Sequence, residues 1–324
     1  MMRSAGGTGR RAVSHTHAMT IDCTRVQAFL ASHFDRASSD VERIGAGAWS
    51  QCFGFRRDDQ ELAIRFGQHV DDFRKDQRAS SYRTPDLPIP DVLAIGQAFD
   101  GYYAISTLVH GVPLERVNAA QWQSVVPSLA AALEAMRLAD VSATVGFGGW
   151  GDDAHAPHAQ WSGHLLSVGD DTPDRRIYGW RARLAALPQA DAVFTWGVDR
   201  LKQLASDSVP RGLIHGDLIN RNMLVSDSSV TGVFDWGCAC YGDHLYDLAW
   251  FEFWAPWFAS LNIDLLRSAL GRCWRAVGYV PYQKEERLLA CYLHIGLDHL
   301  AYNAHLGDMS ALWATAERLQ ALVR

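Results

Sequence analysis

The sequence predicts an α+β chain in two lobes, a small N-terminal one built on an antiparallel β-sheet and a larger, mainly helical C-terminal one. Three observations predict it. The chain has 324 residues, 48% of them hydrophobic, which is more than one core usually organises. Short apolar runs broken by Gly, Asp and Pro fill residues 41–107. From Trp122 onward the apolar residues recur at helical spacing instead.

Residues 1–20 contain Gly6-Gly7-Thr8-Gly9 and three arginines but no apolar run, so they read as a disordered extension and not a secretory signal, with Met19 an alternative start. Residues 21–34 read as a helix on the stripe Val26, Phe29, Leu30 and Phe34. Strand character follows over 41–66, interrupted by Gly45-Ala46-Gly47-Ala48-Trp49-Ser50. Strand, Gly-rich turn, strand is the form of a loop that covers a nucleotide, because glycine lets backbone N–H groups approach phosphates. Gly45, Gly47 and Ser50 are the candidates there, although this stretch alone reads equally well as a plain hairpin.

The cation on the strand after that turn is Arg65, and the only lysine in residues 1–110 is Lys75. Arg65 is expected at the phosphates, with Asp76 on a helix over 72–82 as its partner; a surface strand arginine is the alternative. Leu87-Pro88-Ile89-Pro90 must be a loop, since closely spaced prolines exclude both helix and central strand. Strands over 92–96 and 102–107 lead to 107–111, the expected hinge, which divides the chain into a smaller lobe, 21–107, and a larger one, 108–324.

In the second lobe Trp122, Val125, Val126, Leu129, Leu133 and Met136 form a helical stripe whose purpose is core packing. Residues 145–157 are Gly-rich and irregular, with His155 and His158 read as loop histidines rather than metal ligands. Further helices are expected near 161–168, 176–187, 191–206, 264–277, 285–303 and 310–322.

The net charge of −6 argues against nucleic acid as a partner. Residues 1–110 carry 13 basic and 13 acidic side chains, so the whole excess lies in 111–324, with 17 basic and 23 acidic. That suits a lobe that binds a cation, and equally a solvated acidic surface. The six cysteines are scattered, without a zinc pattern, as expected of reduced thiols in a cytoplasm. No apolar run approaches 18 residues, so no membrane-spanning helix is expected.

The most informative stretch is 213–236. An apolar pair, Leu213-Ile214, leads into His215-Gly216-Asp217; Asn222 follows five residues after Asp217, then the apolar run Met223-Leu224-Val225, then a second run ending in Asp235. This reads as a loop, a β-hairpin and a carboxylate at the hairpin's end. Phosphoryl transfer needs such a set, because the transferred group is already activated and the protein mainly positions it and neutralises charge. Asp217 would orient a hydroxyl and take its proton, while Asn222 and Asp235 would hold Mg²⁺, a hard ion that prefers oxygen ligands. The spacing Asp-x4-Asn is that of the catalytic loop of kinases.

HGDLINRN, the FDW that follows, and Gly242-Asp243-His244-Leu245-Tyr246-Asp247-Leu248-Ala249 resemble the aminoglycoside phosphotransferase family, and the resemblance runs from about Val26 to the C-terminus. It implies a bilobal protein-kinase-like fold, ATP and Mg²⁺ as cofactors, and O-phosphorylation of a cationic aminocyclitol antibiotic, hygromycin B at its 4-hydroxyl being the expected acceptor and resistance the outcome. It places Thr107 and Val109 at the adenine edge, and the acceptor near Arg221, Glu252, Trp254 and Trp257; Asp298, a carboxylate in an apolar helix, is read either as a structural pair or as a partner for a substrate amine. It leaves His215, Asp243 and Asp247 structural roles: Asp243 as a helix cap, Asp247 braced against the catalytic loop. A cytoplasmic monomer without nucleic-acid or membrane partner is implied. Two rivals stay open: a kinase of choline, homoserine or another aminoglycoside, and a nucleotide-binding pseudokinase, which the arginine at position 65 motivates.

Overall fold

The computed structural model describes residues 21–34, 38–47, 50–151 and 153–323. The extension 1–20 and the turn residues Ala48 and Trp49 lie outside the described residues.

Helix α1 (Cys23–His33) is capped by Asp22, whose carboxylate accepts the Arg25 N–H at 2.8 Å. Strands β1 (Ser38–Ala46), β2 (Ser50–Arg57) and β3 (Gln60–Gly67) form a meander, helix α2 (Val70–Ala79) crosses over, and β4 (Val92–Ala98) and β5 (Gly101–Thr107) close the sheet. All pairings are antiparallel, in the order β1-β2-β3-β5-β4. Alternate residues of the sheet, among them Phe53, Phe55, Ile64, Phe66 and Ile105, bury one face against Val26, Phe29 and Leu30 of α1. This is the small lobe that the strand pattern predicts.

The larger lobe begins with the short strand β6 (Val112–Pro113) and helix α3 (Ala119–Leu138), whose start is fixed by a capping box between Asn118 and Gln121. The two-residue strand β7 (Gly148–Gly149) and helices α4 (Trp161–Leu166), α5 (Trp180–Ala185) and α6 (Pro188–Leu204) follow. Next come β8 (Arg211–Ile214), the hairpin β9 (Met223–Ser226) and β10 (Ser229–Val233), and β11 (Cys240–Asp243). Helices α7 (Leu245–Trp254), α8 (Ile263–Ala276), α9 (Lys284–Leu306) and α10 (Met309–Val323) complete it. One core runs through this lobe and includes the α3 stripe, Trp161, Trp180, Trp236 and most of α7 and α9.

Two local expectations change. The helix expected over 176–187 begins only at Trp180, because Gly179 takes a left-handed φ of +86° and Asp171 accepts the N–H groups of Gly179 (2.7 Å) and Arg181 (3.1 Å). The pair Leu213-Ile214 is not a loop lead-in but part of strand β8, which pairs with β11 in the three-stranded sheet β7-β11-β8. That sheet fixes the entrance to the loop that follows it.

Candidate active site

The loop 215–222 leaves the end of β8 and returns into β9, so two sheets hold its ends. Asp217 sits in its middle. Asn220 Nδ2 donates to Asp217 Oδ1 at 2.6 Å, and Asn222 Nδ2 donates to Asp217 Oδ2 at 3.1 Å and to its backbone oxygen at 2.8 Å. Both Asn220 and Arg221 are left-handed (φ +67° and +68°), a cost of order 1 kcal/mol each that the flanking sheets sustain. The Asp217 carboxyl is half-buried yet ringed by protein; burial pushes it up to about 8, with Asp235 adding to the push and Asn220 and Asn222 opposing it. A carboxylate poised near neutrality is suited to accept a proton.

The loop is braced from beneath. Asp247, buried on α7, accepts the His215 N–H at 2.9 Å and the Gly216 N–H at 2.8 Å. Gly216 has φ +79°, and a Cβ there would meet the Cys238 carbonyl at 2.9 Å. Burial pushes His215 down to about 4, so its ring is neutral at pH 7. Its Nε2 lies 3.0 Å from the Phe234 carbonyl and must carry the proton, which leaves Nδ1 to accept the Asp217 N–H at 3.2 Å. One imidazole therefore joins Asp217 to the residue before Asp235. Asp243 accepts the Leu245 N–H at 3.0 Å at the start of α7 and forms a buried two-point pair with Arg287 (2.7 and 2.5 Å).

Between the lobes lies a cleft lined by Gly45, Gly47, Ser50, Arg65, Asn222 and Asp235, among others. The hairpin β1–β2 covers it, with Gly47 N–H bonded to Ser50 O at 2.9 Å. Arg65 pairs with Asp76 at 2.5 Å and lies 3.6 Å from Asp235 Oδ1. Asp76 also accepts the Trp236 N–H at 2.7 Å. Burial pushes the Asp76 carboxyl up to about 6 against the pull of Arg65, so the pair is ionised at neutral pH. Lys75 points elsewhere: its Nζ donates to the Gly237 carbonyl at 2.8 Å, and it is absent from the cleft wall. At the hinge, Thr107 donates its N–H to the Asp91 carbonyl at 3.1 Å and its hydroxyl oxygen accepts the Asp91 N–H at 3.2 Å, so its N–H is taken by protein. Val109 lines the cleft, and its N–H meets no backbone acceptor among the described residues.

Asn222 spends its amide nitrogen on Asp217, which leaves Oδ1 free to accept, and Asn222 and Asp235 both line the cleft. One amide oxygen and one carboxylate fit Mg²⁺, which keeps waters and takes its remaining ligands from phosphates. Among the described residues no group of three or more His, Cys, Asp or Glu would hold a metal alone, His155 and His158 included.

The expected acceptor residues separate. Glu252, expected at the acceptor, is buried and accepts from Arg267 Nε at 2.6 Å and from the Tyr292 hydroxyl. Trp254 and Trp257 do lie together (ring centroids 5.2 Å apart), and Trp254 packs on His299 at 4.6 Å. Asp298 is partly exposed and 3.6 Å from Arg175. Cys238 is open to solvent on one side and enclosed by protein on the other; that enclosure first, and then the carboxylates of Asp217, Asp235 and Asp298, push its thiol up. Arg221 instead lines the rim of the cleft between the lobes. Sequence reasoning missed Asn220, although its place three residues after Asp217 was a visible signal, and missed Arg175 and Cys238, for which no local pattern exists.

A family model described as "Phosphotransferase enzyme family" matches residues 55–280, more than half of the chain. The chain belongs to that phosphotransferase family. Among curated relatives of this phosphotransferase, the hygromycin-B 4-O-kinase of Escherichia coli is 29% identical over 313 residues, 94% of this chain and 86% of the relative. The homoserine kinase of Neisseria meningitidis serogroup B matches a short segment, 39% identical over 67 residues, 20% of this chain and 22% of the relative. Among solved structures, aminoglycoside phosphotransferase APH(4)-Ia superposes with a TM-score of 0.80 at 28% identity, covering 94% of this chain and 99% of that one. A thermostable mutant of it, in a ternary complex with AMP-PNP and hygromycin B, gives 0.79 at 28% identity, covering 92% and 98%. The phosphotransferase thus has the protein-kinase-like fold that its catalytic loop implies.

Proposed function

We propose that this phosphotransferase uses ATP with Mg²⁺ to O-phosphorylate an aminocyclitol antibiotic, hygromycin B at its 4-hydroxyl, and so confers resistance in the cytoplasm. The observation that carries the reading is the Asp217 carboxylate, held by Asn220 and Asn222, which both line the cleft, and pushed up to about 8 by burial. In this reading the chain divides at the 107–108 hinge. The β1–β2 hairpin and Arg65 receive the triphosphate, and Arg65 takes the charge usually supplied by lysine with a fork suited to phosphate oxygens. Mg²⁺, held by Asn222 Oδ1 and Asp235, would neutralise charge on the β- and γ-phosphates. Asp217 orients the acceptor hydroxyl and accepts its proton as the phosphoryl group transfers. Trp254 and Trp257 offer flat faces to sugar rings and Asp298 a carboxylate to an amine.

A second acceptor, another small hydroxylated molecule such as a different aminoglycoside, choline or homoserine, has one observation in its favour. Glu252 and Asp298 both already face arginines, so little carboxylate is left over for a polycation. Arg65 gives no support to a catalytically dead reading, because its pair with Asp76 keeps it in the cleft beside Asp235. The test is ADP release with MgATP against hygromycin B, other aminoglycosides, choline and homoserine, with mass spectrometry of the products. Gain of one phosphoryl group on hygromycin B is expected; gain on another acceptor alone overturns the substrate, and no acceptor-dependent ADP release overturns the reading.

A further inference from the structure

Helix α2 is docked on the larger lobe by one of its faces. Asp72, Lys75 and Asp76 fall at helical i, i+3, i+4 spacing and so share a side. Asp76 accepts the Trp236 N–H and Lys75 donates to the Gly237 carbonyl, so two of the three grip the segment that carries Asp235. The third reaches farther. Arg176, on the loop before α5 in the larger lobe, places NH1 3.0 Å from Asp72 Oδ2, NH2 2.9 Å from Asp72 Oδ1 and NH2 2.8 Å from Asp71 Oδ2.

These bonds span more than one hundred residues of chain and cross from one lobe to the other. Their far end is well anchored. The preceding Arg175 donates to the carbonyls of Asp170 (2.5 Å) and Ser167 (3.3 Å), and the following turn is held by Asp171. Their near end matters to chemistry, because Asp72 borders the small hollow shared by Gly47, Ser50, Arg65 and Asp235. One helical turn on from Asp72, Asp76 holds Arg65.

We propose that Arg176 is a positioning residue, a clasp that closes the nucleotide lobe onto the catalytic lobe and, by fixing the first turn of α2, sets Arg65 at the phosphates. A bidentate guanidinium suits this task. It fixes direction as well as distance, and its charge offsets two carboxylates that would otherwise face the triphosphate. The inference rests on the nucleotide reading of the cleft, and the two fail differently: no nucleotide binding by the parent protein sinks that reading, whereas equal binding by parent and variant sinks only the clasp.

The experiment is calorimetric titration of the full chain with AMP-PNP and Mg²⁺, without acceptor, for the parent, R176A, R176K, D72N and the R176A/D72N double variant, with thermal unfolding of each. R176A and D72N should each weaken binding by roughly tenfold, within the usual range of coupling between linked elements. R176K should recover part of the loss, since it restores the charge without the fork. The double variant should bind no more weakly than the weaker single, because both remove one interaction. A folded R176A that binds AMP-PNP as the parent does would overturn the proposal, as would fully additive losses in the double variant. A drop in unfolding temperature with unchanged affinity would also overturn it, since it would mark Arg176 as a packing contact.

Discussion

Replacing His215 with Phe tests whether the imidazole beneath the catalytic loop is neutral. The ring is fully buried, bonded to the Asp217 N–H and the Phe234 carbonyl, and pushed down from 6.5 to about 4. At pH 7.5 the variant keeps a ring of similar shape but leaves both backbone groups without partners, a loss of about 2–4 kcal/mol. The pH dependence is the sharper test. A folded pKa below the unfolded one means that the stability His215 contributes is present above pH 6.5 and is lost as the pH falls towards about 4. At pH 5.5 the unfolded histidine gains about 1.4 kcal/mol by taking a proton while the folded one gains almost none, so the parent loses that amount and the variant does not. Urea denaturation at pH 7.5 and 5.5 measures the gap. His164 and His244, pushed down by burial to about 3 and about 4, and His294 and His299, also lowered by burial, titrate in both proteins and cancel. A gap that narrows by about 1.4 kcal/mol supports the neutral ring. A gap that stays constant or widens in acid would refute it and imply that the folded histidine carries a charge.

Three further outcomes are expected. Asp217→Asn should bind nucleotide within about twofold of the parent and lose at least about 100-fold in turnover, read by titration and ADP release; near-normal turnover would remove Asp217 from the proton transfer. Glu252→Gln should lower stability by about 2 kcal/mol through the weakened Arg267 and Tyr292 contacts and leave the acceptor KM unchanged, and a raised KM with unchanged stability would return Glu252 to the acceptor site. Arg287→Met should cost about 3 kcal/mol in urea denaturation, because it strands the buried Asp243 carboxylate at the start of α7, and a loss below about 1 kcal/mol would mean that the pair does not hold α7 in place.

The parts of the site that could be read from sequence are those whose chemistry is set by local spacing. Asp217, Asn222 and Asp235 lie within one loop and one hairpin, and the turns between them leave few ways to arrange the three side chains. Arg65 and Asp76 were legible for a related reason, since a strand followed by a helix packed across it brings those positions together. The surroundings of Glu252 were not legible, because a carboxylate beside tryptophans looks the same in sequence whether it faces a ligand or an arginine. Its partners, Arg267 and Tyr292, come from α8 and α9, and only long-range packing brings them close. Arg176 was invisible on the same ground. The sheet β7-β11-β8 escaped because its strands have two to four residues, too few to show an alternation, and Gly148 joins it at a left-handed φ of +98°, where a side chain would meet the His164 ring.

The cleft's cation has a chemical consequence. Of the chain's three lysines, Lys75 is the only one in the small lobe, and its amine is spent on the Gly237 carbonyl outside the cleft lining. Arg65, in the cleft, stays protonated at any pH at which the protein is folded, the attraction of Asp76 and Asp235 outweighing its burial. If the proposed nucleotide site is right, reagents that tag such sites by acylating an ε-amine beside the phosphates would find no lysine in the cleft lining. A survey that counts active phosphotransferases by such tagging would pass over this one while it was turning over substrate.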